Sequence, residues 1–204
     1  MAGETMNGFR KMRTSLLILL GFFAFLGACS APAEAPPLAG AAIGGPFALT
    51  DQDGKAVTDK DFDGAYRIVY FGYTYCPDVC PVDLQHIAQG YAAFEKAAPA
   101  KAAKVRPIFV SVDPERDTPA VVKQYVAAFH PRMTGLTGTP EQLAAAAKAY
   151  GVYYQRRDEA GASEYLMDHS RSAVLFGPKG EPIALLPQDQ GAAAVAAELE
   201  RWVR

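Results

Sequence analysis

The sequence has no apolar run long enough to cross a membrane, no excess of basic charge, no internal repeat and only three cysteines in 204 residues. A transmembrane helix needs about 20 consecutive apolar residues, and the run Leu16 to Leu26 falls well short of that. The formal net charge is −2, so the chain lacks the basic footprint of a nucleic-acid binder. The odd number of cysteines leaves one over from any pair, and that one needs a separate explanation.

The short apolar run supplies the explanation. Arg10, Lys11 and Arg13 precede it, the arrangement of a secretory signal. It ends in Leu26-Gly27-Ala28-Cys29, which resembles the lipobox of bacterial lipoproteins, where the cysteine becomes the lipidated N-terminus. An ordinary cleaved signal or an uncleaved anchor is the alternative. The expectation is a lipoprotein signal peptide over residues 1–28 and an exported chain held to a membrane through Cys29, facing the periplasm or cell exterior. Loss of 1–28 removes Glu4 with the three basic residues and moves the net charge from −2 to −4. Ser30 to Gly45 is rich in Ala, Pro and Gly. It has too little apolar surface to order itself, so residues 29–44 read as a flexible tether. The remainder, 45–204, is enough for a single domain with a sizeable core.

That domain alternates strand and helix patterns. Asp53-Gly54 between Phe47-Ala48-Leu49 and Val57 predicts an N-terminal β-hairpin. Tyr66 to Tyr73 and Val105 to Val112 are continuous β-branched and aromatic runs, as expected of strands covered on both faces. Helical spacing runs from Pro81 to Ala97. A second helix is entered at Asp117-Thr118-Pro119, with Asp117 read as its N-cap and, as the alternative, as support or a recognition surface near the site, and ends near Phe129. A third begins at Thr139-Pro140-Glu141-Gln142, a capping box. Val152 to Arg156, Ala173 to Phe176 and Pro182 to Leu186 read as strands, and a last helix runs from about Gly191 to Trp202. The order predicts an open α/β sheet with flanking helices. Reactive groups in such folds sit past the C-terminal ends of strands. Two motifs lie there: Cys76-Pro-Asp-Val-Cys80 and Asp113-Pro-Glu-Arg-Asp117.

Cys76 and Cys80 are four apart at a strand-to-helix junction. One helical turn brings Cβ atoms to about 5–6 Å, a separation from which two thiolates grip one metal ion or, after small adjustment, close a disulfide. The N-terminal end of a helix lowers thiol pKa values, favouring the thiolate that both chemistries require. The plain alternative is a structural disulfide, but so short a loop would stabilise weakly.

FGYTYCPDVCP, SVDPERDTP and DHS, in that order, resemble the SCO/SenC family, the synthesis of cytochrome c oxidase proteins. The early stretch GGPFALTDQDGKAVTDKDF resembles that family's opening hairpin, and the similarity runs from Gly44 to the C-terminus. The resemblance implies a thioredoxin-like fold and copper held by Cys76, Cys80 and His169. It also implies a part in delivering copper to, or reducing the cysteines of, the dinuclear copper site on the copper-bearing subunit of cytochrome c oxidase. One departure is Gly177 before Pro178, where an acidic residue is expected.

Two thiolates and an imidazole suit Cu(I) and, with an added ligand, Cu(II). Zinc would want a fourth ligand, for which Asp78, Asp113, Asp168 or water are candidates. The same three carboxylates are candidates to support the ligands from outside, Asp168 by orienting the imidazole of His169. His86 and His130 read as structural or solvated, and Met133 and Met167 as packing residues. Two functions compete: a copper chaperone, and a thiol–disulfide oxidoreductase using Cys76 and Cys80 as its redox pair. The first also needs a copper donor, and both need a thiol reductant, because a disulfide cannot bind copper.

Overall fold

The computed structural model describes residues 34–158 and 165–204. Among these residues nine strands form, in chain order: β1 (Ala48–Asp51), β2 (Ala56–Thr58), β3 (Tyr66–Gly72), β4 (Val105–Ser111), β5 (Thr134–Thr137), β6 (Tyr154–Arg157), β7 (Leu166–His169), β8 (Ala173–Phe176) and β9 (Pro182–Leu186). The helices are α1 (Val79–Ala97), α2 (Pro99–Ala102), α3 (Pro119–Ala127), α4 (Pro140–Ala149) and α5 (Ala192–Trp202).

Strand β3 organises the rest. Its sequence, YRIVYFG, is buried at every position, as a central strand with both faces covered must be. Strand β4 lies parallel to it on one side and β8 antiparallel on the other. The full order is β2-β1-β5-β4-β3-β8-β9, a mixed open sheet. The hairpin β1–β2 turns where expected: the Asp51 carboxylate accepts from the backbone N–H of Asp53 and of Lys55, each at 2.9 Å. Strands β6 and β7 stand apart as a two-stranded sheet.

Helices α1 and α5 pack together through Gly90, where a Cβ would lie 2.6 Å from Val195 Cβ and 2.7 Å from the Ala192 carbonyl oxygen. Helix α4 has its predicted capping box, with Thr139 Oγ1 accepting from Gln142 N–H and Gln142 Oε1 accepting from Thr139 N–H.

Four expectations change. Helix α1 begins at Val79, before Pro81, so Cys80 already belongs to it; a proline in the first turn costs no helical hydrogen bond. The N-cap of α3 is Thr118, whose side chain accepts from Val121 N–H, and not Asp117. Strands β5 and β7 form without a strand-like run of their own, β5 by pairing with β4 and β7 by pairing with β6. The tether does not reach Gly44. Leu38 N–H donates to the Ile183 carbonyl and Gly44 N–H to that of Ala149, while Leu38 and Ile43 pack on the core. Two apolar side chains are enough to fasten this segment to the domain. The signal peptide and Cys29 lie outside the described residues.

Candidate metal centre

Strand β3 ends at Gly72, and the chain turns through Tyr73 to Asp78 into α1. Cys76 lies in this turn and Cys80 in the first turn of the helix. Both are free thiols, Cys80 buried and Cys76 half-buried. Gly72 leaves room for the deeper sulfur: a Cβ there would sit 3.0 Å from Cys80 Sγ. The backbone N–H of Cys80 points at Cys76 Sγ, 3.4 Å away.

The two thiols differ in acidity. A hydrogen bond from Cys80 is the main cause pulling the Cys76 thiol down to about 3; the backbone N–H groups of Cys80 and Asp78 assist, against partial burial. Cys80 is pushed up, first by its bond to Cys76 and then by burial. Lowering at Cys76 and raising at Cys80 favour Cys76 as the thiolate of the reduced pair.

His169 closes the cluster. It is the last residue of β7, set opposite Tyr154 of β6. Its Nδ1 lies 2.9 Å from the Ser170 carbonyl oxygen. A carbonyl only accepts, so Nδ1 carries the proton and Nε2 presents its lone pair. Nε2 is 3.0 Å from Cys80 Sγ. Tyr70 and Tyr73 meet the imidazole edge to face, at 6.3 and 5.8 Å between centroids. The two sulfurs and the ring nitrogen all lie within 4.8 Å of one another. Among the described residues, no other three His, Cys, Asp or Glu side chains converge in this way.

The three carboxylates considered beside this trio, as a fourth ligand for zinc or as outer support, are not among the converging donors. Asp78 is exposed at the N-cap of α1 and makes no side-chain cap hydrogen bond. Asp168 is exposed and pairs with Arg157 at 3.4 Å. Side chains alternate along a strand, so Asp168 points away from its neighbour His169, and the ring is oriented by the Ser170 carbonyl instead. Asp113 is buried and works at one remove. It accepts from Arg116 Nε and from the Tyr165 hydroxyl, both at 2.6 Å. Arg116 lies 3.6 Å over the Tyr165 ring, just ahead of β7.

Two further carboxylates support the site, Asp117 from the second motif and Asp83, which carries no local sequence signal. Asp117, fully buried, accepts from Thr74 N–H at 3.0 Å, Thr74 Oγ1 at 2.6 Å and Ser111 Oγ at 2.5 Å. This fixes the turn two residues before Cys76. Asp83 accepts from the Tyr70 hydroxyl at 2.9 Å and from Arg171. As expected, His86 and His130 are structural: His86 Nδ1 lies 2.7 Å from the Gln188 carbonyl oxygen, and His130 packs on Tyr91. Met133 and Met167 are core residues.

The SCO1/SenC family model matches residues 35–204. Protein SenC of Rhodobacter capsulatus is 48% identical over 141 residues, which cover 69% of this chain and 62% of that protein. The chain spans about half the length of the first curated relatives it matches. Among solved structures, copper-bound ScoI of Bradyrhizobium japonicum aligns with a TM-score of 0.71 at 43% identity, covering 79% of this chain and 99% of that one. The fold is thioredoxin-like. A thioredoxin domain of a thiol-disulfide oxidoreductase from Bacteroides vulgatus shares it, at 14% identity and a TM-score of 0.55 over 79% of this chain and 96% of that domain. The chain belongs to the SCO1/SenC family.

Proposed function

From this family membership and the sulfur–imidazole trio, we propose that the protein binds copper through Cys76, Cys80 and His169 and hands it on during assembly of the dinuclear copper site of cytochrome c oxidase. The observation that carries the reading is the convergence of two sulfurs and one ring nitrogen within 4.8 Å. Soft sulfur donors with an imidazole fit Cu(I) as a three-coordinate ion and Cu(II) with one more ligand. Zinc, which favours four ligands, has no carboxylate beside the trio among the described residues. Copper is cargo in this reading. Cys76 and His169 are half-buried, so a partner's ligands can reach the ion and displace them one at a time.

The lowered Cys76 thiol beside a second cysteine favours a second reading, thiol–disulfide exchange. The Cys76 thiolate attacks a disulfide of the partner, forming a mixed disulfide and releasing one partner thiolate, which takes up a proton. Cys80, losing its proton, then attacks Cys76 Sγ and frees the second partner thiol. Two electrons pass to the partner, and the chain is left as its Cys76–Cys80 disulfide, which an outside thiol reductant must reopen before copper binds again. The two readings part at His169, which metal binding uses and exchange does not.

The working location is the outer face of a membrane, with Cys29 carrying the lipid. No helix among the described residues is long and apolar enough to cross a membrane. The deciding experiment is metal content and stoichiometry of the reduced protein, purified without added metal and titrated with Cu(I) and Cu(II). One copper per chain is expected. Failure to take up copper in either state, with partner reduction intact, would leave the exchange reading alone.

A further inference from the structure

Asp83 is only 1 % exposed, and it lies three residues past Cys80 on α1. A buried carboxylate is tolerable only when well paired, and the pairing here is specific. Arg171 donates from Nη2 to Oδ1 at 2.8 Å and from Nε to Oδ2 at 3.1 Å. Arg171 follows His169 by two residues, in the connector between β7 and β8. One planar two-point contact therefore joins the helix that carries Cys80 to the segment that carries His169.

A second link closes a ring. Gln188 Nε2 donates to the Arg171 carbonyl at 2.5 Å, and the Gln188 carbonyl lies 2.7 Å from His86 Nδ1, back on α1. The connector is thus held at its backbone and at its side chain, while the paired strands β6 and β7 stand outside the main sheet. None of these contacts involves a sulfur or the imidazole of the trio.

We propose that Asp83 and Arg171 are positioning residues that hold the His169 imidazole against the cysteine pair, so that the three donors are assembled before copper arrives. The proposal deepens the copper reading and rests on it. Prior assembly raises affinity because ordering of the ligands is not charged against binding. Orientation depends on the planar guanidinium: a lysine at 171 keeps the charge but grips at one point.

The test is a double-mutant cycle on the reduced full chain, with Cu(I) affinity measured by competition against a chelator. Arg171→Met is expected to weaken binding about tenfold, within the range for groups that orient a metal ligand. Arg171→Lys is expected to recover part of the loss. In a His169→Ala background, Arg171→Met should change affinity no further, because its effect passes through that ring. The Cys76–Cys80 disulfide, which needs no imidazole, should still form under oxidant in every variant. An Arg171→Met loss of equal size with and without His169 would mean a merely structural role and overturn the proposal, as would no loss at all. Should Arg171→Met fail to fold, Arg171→Lys carries the same cycle, with a smaller loss that must again vanish without His169. A parent chain that binds no copper would bring down the copper reading, and the positioning role with it.

Discussion

Cys80 Sγ lies 3.0 Å from His169 Nε2 across 89 positions of sequence. The contact joins the first turn of α1 to the end of β7, so it exists only in the folded chain. The donors are prepared on both sides, by the Ser170 carbonyl that fixes the tautomer and by the glycine at 72 that leaves space for the sulfur. A site built in this way couples metal binding to folding.

Replacing His169 separates the two candidate functions. His169→Ala should weaken copper binding by more than about 100-fold, beyond the usual cost of losing a merely supporting group. The Cys76–Cys80 disulfide should still form under oxidant. Competition titration and thiol counting measure the two effects on one sample. Unchanged copper affinity would remove the imidazole from the site.

Acidity of the reduced, metal-free pair predicts a pH dependence of stability. Cys76 is pulled down to about 3 in the folded protein, against roughly 8.5 for an ordinary thiol. Between these values the unfolded chain binds the extra proton, so stability rises with pH. The contribution is complete above the ordinary thiol range and is lost as pH falls towards 3. Cys80 is pushed the other way, so its contribution is constant below the ordinary thiol range. Urea unfolding of the parent and of Cys76→Ser from pH 5 to pH 8 therefore isolates Cys76, because groups common to both cancel in the difference. The parent should gain stability across that window relative to Cys76→Ser, and parallel curves would refute the assignment of the thiolate.

Much of this architecture can be read from runs and spacings. The central strands β3 and β4 announce themselves as unbroken apolar runs, and the capping box of α4 is spelled out at Thr139 and Gln142. The cysteine spacing marks its own chemistry. What escapes is whatever depends on distant partners or on backbone atoms. Asp83 and Arg171 are 88 residues apart, and neither has a local pattern. The Ser170 carbonyl, which orients the ring in place of Asp168, is a group every residue possesses. Asp117 is a different case. The proline at the first helical position makes Thr118 the cap, which frees Asp117 for the buried network at Thr74 and Ser111. The end of the tether was obscured by composition, since Leu38 and Ile43 are diluted among Ala, Pro and Gly.

That network makes Asp117 a stability determinant. Asp117→Ala removes the acceptor for Thr74 N–H, Thr74 Oγ1 and Ser111 Oγ together. Hydrogen bonds to a charged group are worth about 1.5–3 kcal/mol each and do not simply add. The expected cost is about 3 kcal/mol, read as a lower urea midpoint with an unchanged slope. A loss under 1 kcal/mol would show that the turn before Cys76 is held by something else.

The proposed lipid anchor is tested at Cys29. Cys29→Ala should move the protein from the membrane fraction to the soluble fraction and leave the copper titration of the reduced protein unaltered. A variant that stays with the membrane points to an uncleaved anchor, against lipidation at this residue.

Gly90 offers a prediction in which two effects have opposite signs. Alanine is the better helix former by about 1 kcal/mol, so Gly90→Ala in the middle of α1 would ordinarily stabilise. Here the added methyl would stand 2.6 Å from Val195 Cβ and 2.7 Å from the Ala192 carbonyl oxygen. The second neighbour is backbone at the start of α5 and has no rotamer through which to retreat. Overpacking of this kind costs about 1–3 kcal/mol, and the backbone contact argues for the upper part of that range, so the crowding outweighs the helix propensity. Gly90→Ala should lower the melting temperature while leaving copper affinity as it was, because α1 is pushed away from α5 three turns beyond Cys80. A melting temperature equal to or above the parent's would mean that the two helices separate at little cost.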